Sequence, residues 1–277
     1  MKKRNKKKKV HINSFAQKLS HHFCELSEWA SQALMHLTDP DEPEALHDLR
    51  VSLRSMRVLL QLSACHKALS KYRKQLGVIA KLTGDERDLE VVLRLAESLL
   101  AETGKGTEQI VFLTEHLLQS QTKLQSELQR VDLKVQLADV AQAWTKQIGH
   151  KQKCILQSAA RTRLKNLERQ LTMAAENVQL TSPIDEWHAL RLLVKKLRYW
   201  CEGFSAVLTS HQAGRLPLLI QLQQRLGLLH DYYLLATPSD QRIPLPVEWQ
   251  ETLDKWQRHT LYEAANLLQQ IKMTWNS

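Results

Sequence analysis

Apolar residues recur along the chain at three- and four-residue spacing in long runs, and short clusters rich in Pro, Gly, Asp and Ser separate the runs. The first run covers residues 11–37 and stops at TDPDEP, 38–43. Pro43 suits an early helical position, and a second helix is expected from there to about residue 64. A third spans about 67–83 and stops near Gly84. The fourth, 85–102, gathers acidic residues in its first turn, where they favour the helix dipole. Beyond the linker TGKG, 103–106, helices are expected at 107–131 and about 133–148. The second half keeps the same rhythm, with a helix at about 150–178, a break at TSPID, 181–185, and a helix at 185–208. Another follows at about 211–226, then Gly227 and a short helical run, a loop with three prolines at 237–248, and a last helix at 249–275.

Composition supports this reading. Leu, Gln, Ala, Glu, Lys and Arg dominate, and eight glycines and seven prolines are few for 277 residues, so an all-α fold is expected. An apolar fraction of 43% and a charged fraction of 25% are those of a globular chain with a real core. No apolar run approaches the ~20 residues of a membrane span, and no hydrophobic segment of a signal peptide follows the basic start. Cys24, Cys65, Cys154 and Cys201 form no CxxC pair. They are expected to be reduced, mostly buried thiols of a cytoplasmic protein, with no zinc site.

The distribution of charge changes the picture more than its total of +10. Residues 1–9 hold seven basic and no acidic side chains, which leaves the rest of the chain at only +3. Residues 1–10 are therefore expected to form a disordered, solvated polycationic tail. Any basic patch on the body must come from segregation of its charges.

Such segregation is visible in LHDLRVSLRSMR, residues 46–57. His47, Arg50, Arg54 and Arg57 are spaced as neighbours on one helix face, within an arc of roughly 80°. Leu46, Leu49, Val51, Leu53, Met56 and Val58 border them with apolar surface. A shift of 141 positions carries the stripe onto His188, Arg191, Lys195 and Arg198, with every charge type kept. A shift of 143 then carries GDERD, 84–88, onto GLLHD, 227–231, pairing Gly84 with Gly227, Arg87 with His230 and Asp88 with Asp231. Two similar units, about 11–148 and about 149–277, would bring both stripes to one place. A merely solvated face needs neither the apolar border nor a histidine at the same position twice. Arginine forks make bidentate bonds to phosphate oxygens, and clustered cations repel one another unless an anion lies between them. Histidine adds a smaller donor whose charge can rise beside an anion. The HD pair at 230–231 would suit a metal phosphohydrolase, but the first unit has Arg87 there, and arginine does not ligate metals. Asp88 and Asp231 are therefore expected to cap helix starts or orient neighbouring cations, and no metal site is expected.

The paired HxxRxxxRxxR and HxxRxxxKxxRY helices, each followed by GxxRD or GxxHD, resemble the CHAD family, the conserved histidine α-helical domain. Tyr199 and Glu202 fit the second half of that pattern, and the resemblance runs from about residue 12 onward. It implies two pseudo-symmetric helical-bundle units of about four helices each, around a central basic channel that binds inorganic polyphosphate. The phosphate-contacting residues it implies are His47, Arg50, Arg54, Arg57, His188, Arg191, Lys195 and Arg198, with Arg87 and His230 beside them. A non-enzymatic cytoplasmic protein follows, without cofactor and associated with polyphosphate granules. Two other functions compete. Histidine phosphotransfer needs open space beside the imidazole, where Val51 and Leu192 are expected to crowd the approach. Nucleic-acid binding, to RNA for instance, needs aromatic residues among the cations for stacking. Only Tyr199 and Trp200 stand beside a stripe, and both are expected in the core.

Overall fold

The helical periodicity becomes ten α-helices and one short 3-10 turn in a computed structural model that describes residues 14–37, 39, 41–62, 65–237 and 244–275. The expected basic tail lies outside the described residues. Six helices come first: α1 (Ser14–Met35), α2 (Ala45–Leu59), α3 (His66–Leu82), α4 (Gly84–Thr103), α5 (Thr107–Val131) and α6 (Leu133–Gly149). Four follow: α7 (Lys153–Asn177), α8 (Ile184–Gly203), α9 (Ser210–Ala236) and α10 (Val247–Trp275), with the 3-10 turn Ser205–Val207 between α8 and α9. The fold is all-α, and no strand occurs among the described residues.

Three boundaries differ from expectation. α8 stops at Gly203 rather than at residue 208, and the 3-10 turn follows it. α2 stops at Leu59 rather than near residue 64. α9 continues through Gly227, where a break was expected. Its start is secured by a capping box, in which the Thr209 hydroxyl accepts from the Gln212 amide at 3.2 Å and the Gln212 side chain accepts from the Thr209 amide at 3.1 Å. Leu226 and Leu229 beside Gly227 are buried, and such burial outweighs the ~1 kcal/mol that a glycine costs a helix. The matching first-half segment behaves differently. α3 and α4 are separated by Thr83 alone, next to Gly84.

Most of the core is one cluster. It joins Phe23, Leu53 and Trp144 from the first helices to Leu164, Trp200 and Leu222 from the later ones. The indoles of Trp144 and Trp200 satisfy their N–H groups on the Leu19 and Ala160 carbonyls, at 3.3 and 3.1 Å. A smaller cluster holds Val92, Ala96 and Leu99 of α4 against Tyr232 and Leu235 of α9 and Trp249 of α10. The end of α9 and the start of α10 thus leave the main core and pack on α4 and α5.

The TGKG linker serves that second cluster. Gly104, at φ +68°, ends α4 in the left-handed conformation. Gly106, at φ +102°, lies so close to the Trp249 ring that a Cβ there would overlap it. The Trp249 indole donates to the Lys105 carbonyl at 2.8 Å. Gly106→Ala should therefore destabilise the protein by about 2–4 kcal/mol, through overpacking and a disfavoured φ. Urea denaturation followed by circular dichroism measures this, and Gly149→Ala, which meets no neighbour, is the control.

Candidate functional site

α2 turns Leu46, Leu49, Leu53 and Met56 into the core, and α8 does the same with Trp187, Leu190, Val194 and Leu197. The cationic stripe of each helix lies beside its buried face, so packing α2 on α8 brings the two stripes together. Tyr199, 5% exposed, joins them. Its hydroxyl accepts from Arg54 Nη1 at 2.8 Å, and its ring carries the Arg54 and Arg198 guanidinium groups at 5.3 and 5.4 Å from the centroid.

Arg50, Arg54, Arg191 and Lys195 form the centre of the arrangement. All four are half-buried. Burial, followed by the charges of Arg54, Arg191 and Arg50, drives the Lys195 ammonium down to about 7 from its ordinary 10.5. Burial likewise presses on Arg50 and Arg191, with Arg54 adding repulsion to both. Arg50 is anchored as well: its Nη1 donates to the Ala80 carbonyl at 3.0 Å and to Thr83 Oγ1 at 2.8 Å, where α3 ends. A guanidinium at a helix C-terminus complements the dipole, and this contact holds the break between α3 and α4.

The other expected residues surround this centre in different states. Arg57 points to α3, where its guanidinium lies over Gly77, 3.5 Å from the position of an added Cβ. Its Nε is buried with no partner among the described residues, and burial and Arg73 weigh on its charge. Arg198 is paired with Glu202, Nε to Oε1 at 2.7 Å. Arg87 is paired with Glu90 at 2.7 Å and reaches Glu44 at 3.8 Å. Three of the ten expected contacts, Arg87, Arg198 and His230, therefore already hold carboxylate partners that an anion would have to displace. His188 and His230 face each other with ring centroids 5.4 Å apart. His188 is pushed down by desolvation and then by His230 and Arg191, and His47 by desolvation and then by Arg87.

Asp88 and Asp231 cap no helix start; Asp231 contacts His230, and Asp88 acts on Arg50 through its field. Asp88 lies in the second turn of α4 and Asp231 well inside α9, so the helix-start alternative is excluded. Burial holds the Asp88 carboxyl up although Arg50 and His230 pull it down, and Asp231 Oδ1 is 3.3 Å from His230 Nδ1. The field of Asp231 reaches Arg191 and Lys195. No group of His, Cys, Asp or Glu among the described residues could hold a metal ion. The Arg87–Glu90 and Arg198–Glu202 pairs, three and four residues apart on one helix, are legible in helical spacing. The reach of Arg87 to Glu44 and the anchor of Arg50 at the end of α3 are not, because those partners lie outside the helix that carries the cation.

These features define a class, an all-helical protein with a cation cluster where two matched helices meet. The model of the CHAD domain matches residues 19–237, and the chain belongs to the CHAD domain family. Among solved structures, it is similar to the CHAD domain from the plant Ricinus communis, with a TM-score of 0.69, 16% identity, and coverage of 95% of this chain and 92% of that one. It is also similar to PptA from Streptomyces chartreusis, with a TM-score of 0.59, 18% identity, and coverage of 95% and 99% respectively. No curated protein sequence matches the chain.

The buried ammonium makes a stability prediction. Unfolded Lys195 keeps its ordinary affinity for a proton, whereas folded Lys195 binds one poorly above about 7. The cost of folding around the charge is therefore full below pH 7 and fades as pH rises from about 7 to about 10.5. Lys195→Gln should stabilise the free protein by about 1–2 kcal/mol at pH 6, with the gain shrinking by pH 9. Thermal unfolding of both proteins across that pH range measures the difference.

Proposed function

We propose that this chain binds inorganic polyphosphate, without enzymatic activity or cofactor, at the cation cluster of α2 and α8. The observation that carries the reading is the crowding of Arg50, Arg54, Arg191 and Lys195 at one half-buried contact, where burial first and the three guanidinium groups second press Lys195 down to about 7. Cations so arranged gain most from a ligand with closely spaced negative charges, and a linear polyphosphate supplies one charge at each phosphate. Membership of the CHAD family supports the same reading. Arg57, Arg87, Arg198, His47, His188 and His230 then serve as outer contacts along the anion. A cytoplasmic setting fits four cysteines without a CxxC pair, and no helix among the described residues is long and apolar enough to cross a membrane.

Nucleic-acid binding is less well supported. Tyr199 and Trp200 are 5% and 1% exposed, so neither is free to stack on a base. Against histidine phosphotransfer, crowding is not the argument, since Leu192 is 41% exposed. The argument is charge. His188 is surrounded by cations that oppose its protonation and would hold a phosphate as counter-ion.

Arg191→Gln with Lys195→Gln should weaken long-chain polyphosphate binding at least roughly 100-fold at about 0.15 M salt, because two charge-assisted contacts are lost. The double variant should also show a shallower dependence of affinity on salt. Unchanged affinity by calorimetry would place the site elsewhere. Arg50 is a poorer choice for this test, because its anchoring of α3 confuses binding with folding.

Binding should also take up protons. An anion beside Lys195, His47 and His188 raises groups that are low in the free protein. Affinity should therefore strengthen as pH falls from about 8 to about 6. Calorimetry in two buffers of different ionisation enthalpy counts the protons. Lys195→Gln should reduce that count, and an unaltered count would assign the uptake to the histidines.

A further inference from the structure

A small pocket of about 50 Å³ opens between the start of α8 and the middle of α9. Its walls are the apolar side chains of Ile184, Trp187, Leu226 and Leu229, together with Tyr233. Tyr233 is 50% exposed, an aromatic ring left largely in water. The polar lining consists of Asp185, His188, Arg191 and His230. Trp187 is 2% exposed, yet its indole Nε1 is buried with no hydrogen-bond partner among the described residues. Three other buried tryptophans, Trp144, Trp200 and Trp249, each donate to a backbone carbonyl. A buried N–H without an acceptor costs about 1–3 kcal/mol, and the indole thus packs here at a cost that the other three do not carry.

The chemistry of the lining narrows the ligand. A phosphate group would meet four apolar side chains and the Asp185 carboxylate, and would be poorly solvated there. A hydrocarbon would offer nothing to Asp185, His188 and His230. A planar heterocycle suits both kinds of wall, since its apolar face can lie on the Tyr233 ring while its edge makes hydrogen bonds with Asp185, His188 or His230. The pocket holds little more than one water's share of volume, so it admits the edge of a ring and not a whole nucleoside. Arg191 belongs both to this pocket and to the cation cluster, so a single ligand can reach both.

We propose that this pocket takes the edge of a nucleobase, so that nucleoside polyphosphates are a second ligand class, their phosphates held by Arg191 and Lys195. The phosphate half of this assignment rests on the polyphosphate reading above, and the base half on the pocket alone. Inorganic tripolyphosphate carries more charge than a nucleoside triphosphate, so electrostatics alone would favour the inorganic ligand. A preference for the nucleotide can then arise only from its base.

The test is calorimetric titration of the full chain with adenosine triphosphate, guanosine triphosphate, inorganic tripolyphosphate and long-chain polyphosphate, at about 0.15 M salt. At least one nucleotide should bind roughly tenfold or more tighter than tripolyphosphate, the scale of one base stacked on an aromatic ring. Tyr233→Ala, at an exposed position, and Trp187→Phe, which trims the ring that lines the pocket, should each erase most of that preference. Neither should change tripolyphosphate affinity by more than about twofold. Nucleotides that bind no tighter than tripolyphosphate would overturn the inference, as would a preference that survives both substitutions. Long-chain polyphosphate that fails to bind, beside a nucleotide preference lost in both variants, would sink the polyphosphate reading and leave the pocket standing.

Discussion

Like charges at a helix–helix contact repel, and partial burial removes much of the water that would screen them. At the meeting of α2 and α8 the apolar faces of both helices win against that repulsion. Leu49, Leu53, Met56, Leu190 and Val194 are all fully buried, and each such side chain contributes about 1.5–3 kcal/mol. The contact therefore holds although Arg50, Arg54, Arg191 and Lys195 oppose it. Burial first, and the repulsion that packing cannot relieve second, appear in the proton equilibrium of Lys195, the one member able to lose its charge within reach of neutrality. The arginines cannot follow, because their guanidinium groups stay protonated. A surface that unfavourable when empty favours the arrival of negative charge.

Partners surround the cluster and divide it into grades. Tyr199 supports one arginine from each helix without neutralising either. Glu202 and Glu90 neutralise Arg198 and Arg87 outright, at 2.7 Å each. Asp231 tempers Arg191 and Lys195 from α9, and its contact with His230 ties that imidazole to the same network. The uncompensated charge is thereby concentrated at the centre. An incoming anion would meet the least-satisfied cations there and exchange carboxylates for phosphates toward the edge.

The two sequence units are built differently around this shared centre. The first interrupts its helix at Thr83, and Arg50 occupies the interruption. The matching stretch of the second runs unbroken through Gly227, with leucines buried on either side. The far ends also cross over, since α4 and α5 share the smaller core with α9 and α10. Gly106 makes that crossing possible by letting the Trp249 ring lie against bare backbone. Stability and site are thus coupled: α4 carries Arg87 and Asp88 at one end and the smaller core at the other.

Periodicity and charge type were enough to recognise the helices and the two stripes. A helix face is written in three- and four-residue spacings, and burial of one face forces the adjacent stripe to lie beside it. His47, Arg50, Arg54 and Arg57 could thus be read together, as could His188, Arg191, Lys195 and Arg198. Partnership is a different matter. That Arg87 also reaches Glu44, that Arg50 closes α3, and that Trp187 keeps a buried N–H without a partner among the described residues depend on which helices meet and at what depth. Neither Gly227 nor Gly84 shows in isolation whether a chain bends there, because the buried Leu226 and Leu229 carry the helix through the first and Arg50 holds the break beside the second. The sequence by itself determined an all-helical chain with two matched cationic faces, since those are local properties of spacing. Only the tertiary structure decided that Arg50, Arg54, Arg191 and Lys195 crowd together at one half-buried contact, since that is settled by distance and dielectric between elements remote in the chain.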